Sequence, residues 1–224
     1  MSARSDIASI AAWAAELQED ELERARRGLT ERNFAKGSYI CHRGDRLDYW
    51  TGVVTGLVKI SAISRSGKAM TFAGAGPGGW FGEGSVLKDE PRKYDLVAIR
   101  DTRLAMLSKA TFFWLYEHSA GFNRFLVRQL NERMGQFIAT IEYDRILDPK
   151  ARVASNLSWF FNPVLYPGVR NSIDITQEEL SLLAGVSRQV ANKSLQALEA
   201  EGLIRVEHER IAIIDLEALS KYEG

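Results

Sequence analysis

The segment from Ile175 to Leu195 constrains the fold of this chain more than any other, because it specifies two helices and the turn between them. Thr176 and Glu179 have the spacing of a capping box, in which the two side chains satisfy backbone N–H groups at a helix start. Gly185 can adopt the left-handed conformation that ends this helix, and Ser187 can cap a second one. The pattern predicts a helix-turn-helix.

Polar side chains occupy the outward face of the second predicted helix, while Val190, Leu195 and Leu198 are expected to face inward. Arginine offers a two-pronged donor that matches guanine, glutamine matches the edge of adenine, and lysine can meet guanine or phosphate. We therefore expect this unit to read double-stranded DNA. The candidate contacts are Thr176, Gln177, Ser187, Arg188, Gln189, Asn192 and Lys193.

Two β-branched runs, residues 203–206 and 211–214, follow the second helix after Gly202 and predict a two-stranded wing. From Asp148 onward the chain has eight Lys and Arg against eleven Asp and Glu, a net charge of −3. Since affinity for DNA depends largely on neutralising phosphates, we expect one copy to bind weakly and a dimer to be needed. The same charge supports an alternative, a winged helix that contacts protein.

The sequence pattern before this domain is typical of β-strands rather than helices. Between residues 33 and 107, short β-branched and aromatic runs alternate with glycine-containing turns, as a jelly roll requires. The predicted fold class is therefore α+β. Its expected parts are a helical lead-in at 1–32, a β jelly roll at 33–118, a long helix at 119–147 and a winged helix-turn-helix domain at 148–224.

The long helix carries an apolar seam with alternating steps of three and four residues: Val127, Leu130, Met134, Phe137 and Ile141. Such a seam predicts a homodimer. Phe122, Leu126 and Ile138 widen the apolar face, so an alternative is that the helix lies on its own β-domain, and both can hold. Asp148-Pro149 is expected to end the helix, because proline disfavours helical backbone in the preceding residue.

Composition excludes several classes of protein. The single cysteine, Cys41, cannot form an intrachain disulfide, a four-cysteine iron–sulfur cluster or a cysteine-ligated zinc site. The three histidines lack metal-ligand spacing, so no metal is expected. No apolar run approaches the roughly 20 residues of a membrane helix, and no signal peptide is visible, which predicts a cytoplasmic protein without membrane contact. A jelly-roll enzyme would need clustered ionisable residues, so we expect no catalytic site.

Taken in order, these motifs resemble the family of the cyclic-AMP receptor protein and the fumarate–nitrate regulator, the CRP/FNR family. Residues 34–37, 43–45, 56–59 and 79–83, then the long helix and the winged helix, carry the resemblance. It implies a dimeric transcription regulator controlled by a small-molecule effector at the junction of β-domain and dimer helix. It also implies a pseudo-palindromic operator and, for an activator, contact with RNA polymerase. The alternative is a cyclic-nucleotide-binding module that acts through protein contacts.

In cyclic-nucleotide-binding relatives, a short helix after the Phe-Gly-Glu motif offers N–H groups to the phosphate, its glutamate holds the ribose and an arginine pairs the phosphate. Glu83 and Arg92 match these roles. Lys93, Phe137 and Ile138 stand where hydroxyl residues are usual, so cyclic AMP is expected to bind weakly or not at all. The candidate set is Gly82, Glu83, Gly84, Ser85, Arg92, Lys93, Phe137 and Ile138.

An anionic effector of unspecified identity suits this set. The alternative is that Glu83 and Arg92 form a structural ion pair. A haem-based sensor also occurs in the family, and Cys41-His42 could suggest one. We do not expect haem here, because nothing in the sequence defines a second axial ligand.

Overall fold

The computed structural model describes residues 7–63, 69–146 and 148–223. The described chain begins with α1 (Ile7–Ile10), a 3-10 helix (Ala12–Glu16) and α2 (Glu19–Gly28). The first strand starts at Leu29, so the predicted boundary between residues 32 and 33 is wrong. Thr30 to Asn33 are polar and show no apolar alternation, but their backbone pairs with the last strand of the sandwich from Leu29 opposite Leu107 to Phe34 opposite Thr102.

Eight strands form the predicted jelly roll as two four-stranded sheets, with orders β1-β8-β3-β6 and β2-β7-β4-β5. The helix α3 (Glu83–Leu87) lies between the sixth and seventh strands. The strands are β1 (Leu29–Phe34), β2 (Tyr39–Cys41), β3 (Tyr49–Thr55), β4 (Val58–Ile63), β5 (Ala69–Ala75), β6 (Trp80–Phe81), β7 (Asp95–Ala98) and β8 (Thr102–Ser108).

The last stretch assigned to the jelly roll, residues 109–118, is helical. It forms α4 (Lys109–His118), because the Ser108 hydroxyl accepts a hydrogen bond from the Thr111 N–H and starts a helix directly after β8. The long helix α5 (Ala120–Ile146) follows after Ser119. Residue 147, the predicted end of this helix, lies outside the described residues.

The C-terminal domain contains α6 (Pro149–Trp159), β9 (Ser172–Asp174), α7 (Gln177–Ala184), α8 (Arg188–Ala200), β10 (Ile204–Glu207), β11 (Arg210–Ile213) and α9 (Leu216–Ser220). Asp148 caps α6 and Pro149 is its first residue, where the missing proline N–H costs nothing. The predicted two-stranded wing has a third strand, in the order β10-β11-β9. Its pairing is non-local, since Ile211 lies opposite Ile173.

A cluster of tryptophans fills the core beneath α1 and α5. Trp13, Trp50 and Trp80 are each at most 1% exposed, and the rings of Trp50 and Trp80 have centroids 4.5 Å apart. The indole N–H of Trp80 donates to the carbonyl of Ile10 at 3.1 Å. The N-terminal helices are therefore part of the core of the N-terminal domain, residues 7–118, which is named the sensor domain after its predicted role.

The second core crosses between the domains, so the C-terminal domain packs directly on the outer face of the β-sandwich. At Gly74 of β5, an added Cβ would lie 2.5 Å from Cζ of Phe160 and 2.9 Å from Cδ1 of Leu183. Only glycine leaves room for this approach. Within the described residues, no helix is both long and apolar enough to cross a membrane.

Candidate nucleic-acid interface and effector pocket

The helix-turn-helix has the local geometry that the sequence predicts. The Thr176 hydroxyl accepts from the Glu179 N–H while the Glu179 carboxylate accepts from the Thr176 N–H at 2.7 Å. Gly185 is left-handed, with φ of 63°, and the Ser187 hydroxyl accepts from the Val190 N–H. One inward residue differs, because Val190 is only half-buried and Ala191 faces the core instead.

The seven candidate DNA contacts fall into two groups. Arg188, Gln189 and Lys193 are exposed at the start of α8, and their side chains have no hydrogen-bond or ion-pair partner in the described chain. The other four have internal partners: the hydroxyls of Thr176 and Ser187 cap helices, and the Asn192 amide donates to Gln177 Oε1 at 2.8 Å. Three of the seven candidate side chains are therefore free to meet a ligand, whereas the other four already have partners within the domain.

The first helix of this unit is held against the sensor domain by polar contacts that the sequence does not suggest. Arg100 makes a two-pronged ion pair with Glu179, Nε to Oε1 at 2.9 Å and Nη2 to Oε2 at 2.5 Å. Burial alone would raise the pKa of Glu179, but the hydrogen bonds from Arg100 and Thr176 lower it below its ordinary value. The Thr71 hydroxyl donates to the Leu182 carbonyl at 2.8 Å. Glu179, which takes part in the capping box of α7, thus also holds the C-terminal domain against the sensor domain.

The apolar seam of α5 is uncovered in the single chain. Its members are exposed by between 37% and 67%: Val127, Leu130, Met134, Phe137 and Ile141. Phe122 and Leu126, which the alternative placed against the β-domain, are at most 3% exposed and pack there. Packing of this helix on its own β-domain is thus confirmed for Phe122 and Leu126 and is wrong for Ile138, which is 59% exposed. Pairing of the exposed seam with a second copy stays a prediction.

A cavity of about 230 Å³ lies where the sensor domain meets α5. Six of the eight predicted effector residues line it: Gly82, Glu83, Gly84, Ser85, Lys93 and Phe137. The lining also includes Lys88, Glu90, Tyr94, Leu130 and Arg133, together with Ile60 and Phe81 as an apolar floor. Lys88, Lys93 and Arg133 outnumber the two carboxylates, so the cavity wall has a net positive charge.

Two predicted effector residues lie elsewhere. Ile138 is 59% exposed on α5 and does not line the cavity, because one step along a helix turns the side chain away from Phe137. Arg92 is 2% exposed and lies behind Gly82, where an added Cβ would be 1.6 Å from Arg92 Nη1. Gly82 is left-handed, with φ of 89°.

The alternative of a structural ion pair between Glu83 and Arg92 is wrong. Arg92 Nη2 donates to the Tyr49 carbonyl at 3.2 Å, and its Nε and Nη1 have no partner in the described chain. Glu83 Oε2 is buried and equally without a partner there. Buried polar atoms are nearly always hydrogen-bonded. Glu83 lines the cavity, so its unpartnered Oε2 is a group that a ligand could meet, whereas the two Arg92 atoms lie behind Gly82.

Arg133 is the main residue of this region that sequence analysis missed. It is 7% exposed and lies about one helical turn from Gln129 and Gln136, which are 1% and 4% exposed. Polar residues at positions 129, 133 and 136 share one face of a helix. That polar stripe beside the apolar seam was a visible signal, and it marks the face of α5 that meets the sensor.

Cys41 ends β2 and is buried, whereas His42 follows the strand and is exposed. Cys41 is 3% exposed, and burial raises the pKa of its thiol to about 11, so the thiolate that a metal requires is disfavoured. His42 stacks on Tyr39 with ring centroids 4.2 Å apart. Among the described residues, no group of three potential metal ligands comes together.

Two family models match the chain in the order of its two domains. The cyclic nucleotide-binding domain matches residues 31–119, and the Crp-like helix-turn-helix domain matches residues 151–222. The cyclic AMP receptor protein of Thermus thermophilus is 28% identical over 190 residues, which cover 85% of this chain and 86% of the relative. The CRP-like cAMP-activated global transcriptional regulator of Mycobacterium tuberculosis is 27% identical over 193 residues, 84% of this chain and 86% of the relative.

Solved structures agree in fold. The Thermus thermophilus catabolite activator protein is 26% identical, with a TM-score of 0.52 over 94% of this chain and 99% of that one. FixK2 from Bradyrhizobium japonicum has a TM-score of 0.70 at 18% identity, covering 88% of this chain and 98% of that one. The sandwich, which matches the cyclic nucleotide-binding domain model, the long helix and the helix-turn-helix together define a DNA-binding transcription regulator. The chain belongs to the CRP/FNR family.

Proposed function

We propose that two copies of this chain pair through the apolar seam of α5 and read a pseudo-palindromic site on double-stranded DNA under the control of an anionic effector. The observation that carries the DNA-reading part is the free trio of Arg188, Gln189 and Lys193 on a helix whose cap and core are complete. Two-fold symmetry would place the two recognition helices about 34 Å apart, one turn of DNA.

The acidic C-terminal domain supports the dimer as the binding unit. Its net charge of −3 gives one copy little long-range attraction to phosphates. Exposed apolar side chains on one helix face, from Val127 to Ile141, also need a cover. Pairing through α5 meets both needs, because it buries the seam and doubles the number of base contacts.

The positive cavity wall supports an anionic effector. Lys93 and Lys88 reach the rim, where both pair with Glu90, and Arg133 forms the inner wall. Phe137 in the same wall offers no hydrogen bond to a nucleobase, so cyclic AMP is expected to bind weakly or not at all. Calorimetry with cyclic AMP, cyclic GMP and other phosphorylated metabolites tests this. Submicromolar binding of cyclic AMP that tightens operator binding would refute the argument from Phe137.

The remaining parts of the proposal follow from the regulatory role. Relatives of this chain are named as transcriptional regulators, and we infer that it likewise performs no catalysis. RNA polymerase is the expected partner if the protein activates its targets. Because the proposed function is to bind chromosomal DNA, we infer that the protein acts in the cytoplasm.

The DNA-reading part is tested by selecting binding sites from random duplexes and comparing Arg188→Ala with wild type. We expect Arg188→Ala to lose about 1–3 kcal/mol on the selected site and to relax preference at one position in each half-site. Lys221→Ala is the matched control, since it also removes one positive charge but lies directly after α9 and pairs with Glu217. Equal losses on selected and random DNA would show that Arg188 meets only phosphate.

A further inference from the structure

The buried guanidinium of Arg133 touches both the effector cavity and the C-terminal domain. It lines the cavity on one side, and on the other its Nη1 donates to the hydroxyl of Tyr166 at 2.9 Å. Nη1 also donates to Gln136 Oε1 at 2.9 Å, and Nη2 donates to the carbonyl of Trp80 at 3.2 Å. Trp80 belongs to β6, the strand that leads into Gly82 and Glu83.

No described carboxylate forms an ion pair with Arg133, so its neighbours are neutral acceptors. Burial disfavours its charged form, but Tyr166 and the nearby Glu83 more than offset this and hold the pKa of Arg133 above its ordinary value. Hydrogen bonds from a guanidinium to an anionic oxygen are stronger than those to a neutral hydroxyl or carbonyl. An anion entering the cavity would therefore compete with these neutral acceptors for Arg133.

Tyr166 is the contact through which the C-terminal domain meets this charge. It is 0% exposed, and its hydroxyl donates to the carbonyl of Gly74 in β5 at 2.6 Å. At Gly79, an added Cβ would lie 2.8 Å from the ring of Tyr166. The ring is thus enclosed by the sensor domain, and it lies in the connection between α6 and the helix-turn-helix.

We propose that Arg133 is the positioning residue that couples the effector cavity to the docking of the DNA-binding domain, through its hydrogen bond to Tyr166. An anion in the cavity draws the guanidinium away from the Tyr166 hydroxyl, which then lacks its charged donor, and the contact of Tyr166 with β5 loosens. The coupling depends on the proposed function in one respect, that the effector is an anion.

Thermodynamic linkage makes the coupling measurable in both directions. Removing the Tyr166 hydroxyl frees Arg133, so Tyr166→Phe should bind an anion more tightly than wild type. One hydrogen bond predicts a gain of about three- to tenfold. A variant that merely damages the fold loses affinity, so a gain separates coupling from structural support.

The experiment uses the full chain and inorganic phosphate as the probe, measured by titration calorimetry. Tyr222→Phe is the matched control, because its hydroxyl meets Glu201 within the C-terminal domain at 2.9 Å. We expect tighter phosphate binding in Tyr166→Phe, no change in Tyr222→Phe, and no effect of Tyr166→Phe in an Arg133→Gln background. Equal affinity of wild type and Tyr166→Phe would overturn the proposal.

Hydrogen exchange supplies a second readout that needs no ligand. Tyr166→Phe should raise exchange at residues 82–88 and 130–137 of the cavity wall as well as at 160–170, whereas Tyr222→Phe should raise neither. If phosphate binds to none of the proteins, the proposal of an anionic effector is wrong. The exchange pattern then decides by itself whether Tyr166 is coupled to the cavity wall. Unchanged exchange at the cavity wall in Tyr166→Phe would refute it.

Discussion

The ion pair between Arg100 and Glu179 should measurably hold the helix-turn-helix on the sensor domain. The side chains are 24% and 7% exposed, so solvent screens the pair only in part. Hydrogen bonds to charged groups contribute about 1.5–3 kcal/mol when buried, and exposed pairs about 0.2–1 kcal/mol. For this partly screened two-pronged pair we expect a coupling free energy of about 1–2 kcal/mol.

A double-mutant cycle with Arg100→Met and Glu179→Gln measures that energy. Glutamine at position 179 keeps the capping box with Thr176, so the change removes the charge and spares the helix start. Urea unfolding followed by circular dichroism gives the free energy of unfolding for the four proteins. The control cycle is Arg210 with Asp174, whose side chains are 51% and 60% exposed, and we expect its coupling to be below about 0.5 kcal/mol.

The pH dependence provides an internal check. The folded-state pKa of Glu179 lies below its ordinary value of 4.5, so the pair contributes fully above that pH and its contribution is lost as the pH falls further. At neutral pH, the coupling free energy of Arg100 and Glu179 should exceed that of Arg210 and Asp174. A coupling no larger than in the control, or one that persists when Glu179 is protonated, would refute the role of this ion pair in holding the two domains together.

Three further predictions concern the seam, the cavity and the cysteine. Phe137→Asp should yield a monomer in sedimentation, because an unpaired carboxylate in a buried seam is costly. Ile214→Asp, which changes an exposed residue outside the seam, should not. A dimeric Phe137→Asp protein would contradict the proposal that the seam forms the dimer interface. Gly82→Ala should lose at least about 2 kcal/mol of unfolding free energy, since position 82 is left-handed and Arg92 fills the space of a Cβ. Gly84→Ala, with nothing within 4 Å, is its control, and equal stability of the two would refute the steric argument. Cys41, with a pKa of about 11, should react slowly with a thiol reagent at pH 8 until the protein unfolds, and fast native reaction would contradict its burial.

The helix-turn-helix could be predicted because its determinants are local. The capping box at Thr176, the left-handed Gly185 and the cap at Ser187 each act within four residues. The same is true of Asp148-Pro149 at the start of α6. Periodicity also identified the α5 seam, since a helix face repeats at a fixed spacing.

What could not be predicted depends on contacts distant in sequence. The polar strand from Leu29 to Phe34 forms because β8 offers it a partner. The burial of Arg92 depends on the space beside Gly82, and the roles of Arg100 and Arg133 depend on a domain placed against them. Six of the eight effector candidates line one cavity. That Arg92 and Ile138 lie outside it could be seen only once the path of the backbone was known.

The tryptophan cluster gives this protein an optical label of its own. Trp80 lies 4.5 Å from Trp50 and 5.2 Å from Trp13 between ring centroids, close enough for their electronic transitions to mix and give a paired circular dichroism band. Its backbone carbonyl accepts from Arg133, and its neighbour Phe81 lines the effector cavity. A ligand that moves Arg133 should therefore change the exciton signal of the indoles without any added fluorophore.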